Sequence, residues 1–202
     1  KPFWPGQFQK EVILKSIDQE SLIRLNLLKK DNKRLREILS LQVPSSNDKI
    51  SAAVISRKTG SWWRQIILNK GSKDGVAIGN TVIGPGGLLG IVNNTSLFTS
   101  SVTLLTSPES KVGVWADRIQ MNGLLVGLGN DYPSLILYSK DADIKVGDFI
   151  SSSPASSLLP PNIPIGIVQS IDEKLQSKKT AKILLLAKPH AIDWVQILKV
   201  NI

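Results

Sequence analysis

The feature that most limits what this chain can fold into is a glycine-punctuated stretch that occurs twice. Val76-Ala77-Ile78-Gly79-Asn80-Thr81-Val82-Ile83 returns as Ile144-Lys145-Val146-Gly147-Asp148-Phe149-Ile150 at an offset of 68 (Gly147 minus Gly79). Leu89-Gly90-Ile91-Val92 returns as Ile165-Gly166-Ile167-Val168 at 76 (Gly166 minus Gly90), so eight extra residues lengthen the second hairpin. Upstream, Ile66-Ile67-Leu68 faces Ser134-Leu135-Ile136 at 68; downstream, residues 102–108 echo residues 183–189 at 81. Glycine supplies the positive φ of tight turns, and the valines and isoleucines between turns suit a pleated face. Self-similarity of this kind indicates two diverged copies of one small β unit.

Taken in order, the chain offers strand-like runs at residues 50–57 and 62–69, a turn, and the hairpin around Gly84-Pro85-Gly86-Gly87. Strands near 101–106 and 111–115 complete the first unit; the second begins near Met121 and ends with residues 194–200. Eleven or twelve short strands with turns every 8–12 residues predict two small closed β units. The fold class is therefore mainly β, with a long N-terminal α-helix followed by two small duplicated antiparallel β-barrel domains. We expect the helix over residues 1–43 and the barrels over 44–117 and 118–202, the C-terminal strands being free to pair back with the first. The proline-rich insert at 151–164 is expected to be an exposed loop available for binding.

Residues 7–43 contain neither Gly nor Pro, and Pro44 supplies the stop, so one helix of about 36 residues and about 50 Å is expected. Placing Leu25, Asn32 and Leu39 at heptad position a puts Leu28 and Leu35 at d. That is the seam of a coiled coil, and a central Asn sets register and two-strandedness. The expected dimerisation residues are thus Leu25, Leu28, Asn32, Leu35 and Leu39, and the expected partner is a second copy.

Composition excludes several chemistries. There is no cysteine and a single histidine, His190, so a zinc cluster has no ligand set and a Ser-His-Asp arrangement finds His190 after every candidate serine. Asp141 to Asp148 opens like a calcium loop, but Gly147 is in the seventh place and Ser152 in the twelfth, where a sixth-place Gly and a Glu are required. Gly84-Pro85-Gly86-Gly87 lacks the Gly-Lys-Ser/Thr ending of a phosphate loop. We expect no catalytic residue, no metal and no cofactor. The net charge of +9 is dispersed, with nine Lys/Arg against five Asp/Glu in residues 1–43 and sixteen against eleven thereafter. Nucleic-acid binders concentrate such charge among aromatics, and Trp62 and Trp63 are adjacent and so would point to opposite faces of a strand; no nucleic acid is expected as a partner. No run of about 18 apolar residues is present to span a bilayer. The chain opens on Lys1 rather than Met, which we read as a fragment or a mature form.

One ordered set of motifs follows the predicted coiled coil: Ala53-Val54-Ile55-Ser56-Arg57; Trp62-Trp63-Arg64-Gln65-Ile66-Ile67-Leu68-Asn69-Lys70-Gly71-Ser72-Lys73-Asp74-Gly75-Val76; Gly86-Gly87-Leu88-Leu89-Gly90-Ile91-Val92; Ser101-Val102-Thr103-Leu104-Leu105-Thr106; and Pro164-Ile165-Gly166-Ile167-Val168. In this order they resemble the rod shape-determining MreC family. The resemblance implies a non-enzymatic scaffold of the bacterial cell-elongation machinery, with a membrane-proximal helix and a further N-terminal helix anchoring it once in the inner membrane. It places this region on the periplasmic side, as a homodimer binding a class B penicillin-binding transpeptidase and communicating with MreD and MreB. The rival is a periplasmic adaptor of an efflux or secretion system, which needs a returning helix that the sequence after Pro44 does not offer. Apolar edge strands are the expected docking points.

Overall fold

Alternating residues decide the architecture. Lys179–Leu185 buries Ala181, Ile183 and Leu185 while Lys182 and Leu184 face outward, and Lys111–Ala116 buries Val112, Val114 and Ala116 in the same way. A strand of that period has one apolar face to cover and one for water. The computed structural model describes residues 18–31, 49–58, 64–139, 141–156, 159–172 and 178–199. Residues 18–31 are helical (α1). The strands are β1 (Lys49–Lys58), β2 (Gln65–Leu68), β3 (Thr81–Gly84), β4 (Gly87–Thr95), β5 (Ser100–Leu104), β6 (Lys111–Ala116), β7 (Met121–Val126), β8 (Ser134–Leu137), β9 (Phe149–Ser152), β10 (Pro164–Asp172), β11 (Lys179–Leu185) and β12 (Trp194–Leu198). The chain divides into two compact units, Lys1–Ser46 with α1 and Asn47–Ile202 with every strand.

The strands close into two barrels, β1-β12-β3-β4-β5-β2 and β10-β11-β8-β7-β6-β9, so the fold is mainly β with a duplicated barrel, as expected. The repeat is a five-strand unit, since the pairings of β1 to β5 recur among β7 to β11. In each copy two parallel strands, β1 and β3 or β7 and β9, are left with a gap between them that a strand of opposite direction must fill. In the first barrel that strand is β12 and in the second it is β6. Two strands therefore lie across the division expected at 117: β6, read as part of the first unit, belongs to the second barrel, and β12 returns to close the first. Closure leaves no unpaired edges among the described strands, so neither barrel offers the free edge strands expected as docking points.

The repeat holds at the level of single hydrogen bonds. Gly79 (φ +89) and Gly147 (φ +94) take the left-handed conformation that glycine adopts without strain. Their N–H groups donate to Val92 O at 2.8 Å and Val168 O at 2.9 Å. The next side chain caps the turn, Asn80 Oδ1 accepting from Ala77 N–H at 2.9 Å and Asp148 Oδ2 from Lys145 N–H at 2.8 Å. Gly90 pairs with Leu104 and Gly166 with Leu185, and both ladders bulge just after Val92 and Val168. One echo shifts phase: the buried pair Ile66 and Leu68 corresponds to Leu135 and Leu137, an offset of 69 (135 minus 66) rather than 68.

Asp148 differs from its counterpart Asn80 by carrying charge. The Arg118 guanidinium grips it with Nε at 2.6 Å and Nη2 at 2.8 Å, and Nη1 reaches Asp143 at 3.2 Å. This grip holds the Asp148 carboxyl below its ordinary value against the opposing effect of burial, with the Lys145 N–H helping. The same guanidinium engages Asp143, which stands in the third place of the calcium-loop reading. A carboxylate depressed in the folded state stabilises fully above its unfolded value of about 3.9 and loses that contribution as pH falls through the lower folded value. Asp148→Asn keeps the turn cap, as Asn80 shows, and loses the ion pair. With Arg118 partly exposed, the expected loss is about 1–2 kcal/mol at neutral pH, shrinking toward zero at an acid pH below both the folded and the unfolded values. Urea unfolding of both proteins at the two pH values measures the difference; a gap that persists in acid would assign the loss to something other than charge.

The insert is exposed only in part: Pro154, Pro161 and Pro164 stand in water, as its composition suggests, while Leu159 and Ile163 are buried. Ser152 Oγ donates to Pro160 O at 2.6 Å and accepts from Ile163 N–H at 2.8 Å, and Leu159 and Ile163 belong to the second core. Burial of these two side chains holds the middle of the segment against the barrel although its prolines favour turns in water.

Each barrel has its own core, and the two are joined by apolar side chains. Leu88, Leu89 and Gly90 are consecutive and buried, so β4 is covered on both faces. Leu89 lies in the first core, whereas Leu88 and Leu105 pack in the second. Backbone approaches backbone here: a Cβ on Gly87 would stand 2.1 Å from Pro164 O, and one on Gly86 2.5 Å from Leu186 O. The Gly84-Pro85-Gly86-Gly87 turn is a hairpin, as read from the sequence, and its glycines bring the barrels together.

Candidate functional site

The sequence points to surfaces rather than to a catalytic pocket, so the question is which side chains the fold leaves uncovered. In α1, Leu25 is 48% and Leu28 63% exposed, and Leu22 and Ile23 are both 61% exposed. Asn32, Leu35 and Leu39 lie outside the described residues.

Among the apolar side chains that the barrels leave in water, Trp194 and the Leu97–Phe98 pair stand on rigid supports. Trp194 opens β12 and is 64% exposed, because Val195 and Ile197 face the core and the period of two turns Trp194 outward. It borders a groove of about 360 Å³ with Ser51, Ile83, Pro85 and Gln196. Leu97 and Phe98 form the tip between β4 and β5, also more than half exposed. That tip is held from below: Ser72 N–H donates to Ser96 O at 2.9 Å and Lys73 N–H to Leu97 O at 3.1 Å. Gly71 packs so tightly under it that a Cβ would meet Ser96 O at 2.3 Å, and Lys73 Nζ sits 5.4 Å from the Phe98 ring centre. A pre-ordered aromatic loses little freedom on binding, which is why such residues act as anchors. Both were readable as apolar residues on an otherwise polar face or turn, a signal the repeat overshadowed.

His190 needs a separate test. It lies in the 3₁₀ turn Pro189–Ala191, with Nε2 3.7 Å from Asp131 Oδ1. Arg64 donates from Nη1 to the same oxygen at 2.6 Å and from Nε to Gly129 O at 3.1 Å. The Arg64 hydrogen bond holds the Asp131 carboxyl below its ordinary value, with a smaller effect from His190. No serine lines the cleft formed by these groups, and the Thr106 hydroxyl there is buried. A nucleophile, a base and an orienting group are all required for acyl transfer, and the first is missing among the described residues. Those residues also hold no group of three or more His, Cys, Asp or Glu suited to a metal.

Tandem six-stranded barrels with the same strand pairings, joined through close glycine contacts, define a double-barrel β protein. The description "Rod shape-determining protein MreC, barrel core" matches residues 54–199, and the chain belongs to the MreC family. The cell shape-determining protein MreC of Listeria monocytogenes is 33% identical over 180 residues, covering 85% of this chain and 61% of its own. A solved MreC structure from Listeria monocytogenes superposes with a TM-score of 0.81 at 29% identity, covering 98% of this chain and 97% of that one. A complex between penicillin-binding protein PBP2 and MreC from Helicobacter pylori shares the fold, with a TM-score of 0.59 at 14% identity over 75% of this chain and 98% of that one. The chain spans about half to three-fifths of the length of the curated relatives it matches.

Proposed function

We propose that this chain is the extracytoplasmic part of a membrane-anchored scaffold that dimerises through its helix, holds a class B penicillin-binding transpeptidase in place for rod-shaped growth, and performs no reaction itself. The observation that carries this reading is family membership across the whole barrel core, 54–199. The partner class comes from the Helicobacter pylori relative, which is seen with a penicillin-binding protein. MreD, MreB and an inner-membrane anchor remain part of the reading through the family. Dispersed charge supports the exclusion of nucleic acid, and nothing favours the efflux or secretion adaptor.

The exposed anchors supply the contact chemistry. Biolayer interferometry between this chain and the ectodomain of a class B penicillin-binding protein from the same organism should give a dissociation constant in the micromolar range, about −8 kcal/mol. Trp194→Ala or Phe98→Ala should weaken it about ten-fold or more if that residue is an anchor. Absence of binding at tens of micromolar, roughly ten times such a constant, would sink the reading.

A further inference from the structure

The cleft that holds His190 lies between the barrels and has about 270 Å³ of space. Arg64 and Thr106 come to it from the first barrel's side, Asp131, Tyr132 and Leu184 from the second, and Lys188 and His190 from the connection to β12. We propose that this cleft binds a short peptide segment that presents a carboxylate next to an apolar side chain.

Three observations lead there. The first is an imbalance of charge, for Asp131 is the one acid in a lining that also carries Arg64 and Lys188. Arg64 uses Nε and Nη1 on Gly129 and Asp131, leaving Nη2 without an acceptor among the described residues, and Lys188 has no ion pair there. A guanidinium has five N–H donors in a fork that fits a carboxylate, so a second carboxylate is the group this lining lacks. The second is an unmet hydroxyl. Thr106 is 2% exposed and its Oγ1 has no hydrogen-bond partner, a buried polar atom of the kind that folded proteins normally satisfy. The third is apolar surface at the same place: Leu184 faces outward from β11 at 42% exposure, beside Tyr132 at 38%.

Size separates peptide from cofactor. Cavities for cofactors and drug-sized ligands run from about 300 to 1,000 Å³, so this one suits one or two side chains of a longer partner. The site is distinct from the outer-face anchors and stands whether or not they bind a penicillin-binding protein. Because its lining comes from both barrels, occupancy would hold them together.

The test is a titration of the ¹⁵N-labelled chain with N-acetyl-L-leucine, and separately with N-acetyl-L-leucinamide, which lacks the charge. The acid should give saturable amide shifts at Thr106, Tyr132, Leu184 and His190 with a dissociation constant of about 1–10 mM. The amide should bind about ten-fold more weakly, and Lys188→Gln, an exposed change that leaves packing alone, should weaken the acid about three- to five-fold. Equal shifts from acid and amide, shifts scattered over the surface, or none up to about 20 mM would each overturn the proposal.

Discussion

Replacing Gly87 by alanine should lower the stability of the barrel unit by about 3 kcal/mol. Two costs combine. Gly87 has φ +141, a region that costs an L-residue about 1–3 kcal/mol, and its new methyl would stand 2.1 Å from Pro164 O, which forces a backbone shift of the kind that costs about 1–3 kcal/mol. The carbonyl it meets belongs to the other barrel, so the shift must open the joint that Leu88 fills. Gly79 provides the control within the same chain. It also has positive φ, +89, yet nothing lies within 4 Å of its would-be Cβ, so Gly79→Ala should cost only the conformational part, about 1 kcal/mol. Guanidinium unfolding of the three proteins measures the difference, and equal midpoints for the two variants would show that the joint yields without resistance.

The second large effect is expected in the helix. Changing Leu28, Asn32 and Leu35 together to Asp should abolish dimerisation, because each change puts a charge into the seam of both strands. Losing two buried leucines per strand removes about 2 kcal/mol each, and opposed carboxylates add repulsion, so association should weaken by well over a hundred-fold. Leu25 and Leu28 stand exposed at 48% and 63%, as an unpaired half of such a seam would. Analytical ultracentrifugation at tens of micromolar, where a micromolar dimer is saturated, should show a dimer for the parent and a monomer for the variant. A parent that already sediments as a monomer removes the coiled coil from the account.

Much of the fold was legible because it is written locally. Gly79 and Gly147 announce their turns, Gly90 and Gly166 their close ladders, and apolar alternation gives the strands. What was not legible depends on partners far apart in sequence. Nothing in Lys111–Ala116 says that it pairs with β7 and β9 rather than with β5 just before it, since an antiparallel strand of this pattern fits either neighbour. The Pro-rich insert read as solvent-exposed because its backbone chemistry favours turns, which holds for Pro154, Pro161 and Pro164 but not for the buried Leu159 and Ile163. Arg64 and Asp131 are 67 residues apart in the chain, and their meeting with His190 follows only from how the barrels abut. Trp194 was in plain view, but its outward direction mattered only once Val195 and Ile197 were known to face the core.

β12, the last strand among the described residues, completes the barrel that β1 begins. A chain emerging from the ribosome therefore has every strand of its C-terminal barrel in hand before its N-terminal barrel can shut, and until then β1 and β3 stand with open flanks. The usual sequence, in which an early domain finishes and waits for a late one, is reversed: the barrel of β6 to β11 can close on its own strands, while the barrel that starts first must wait for β12.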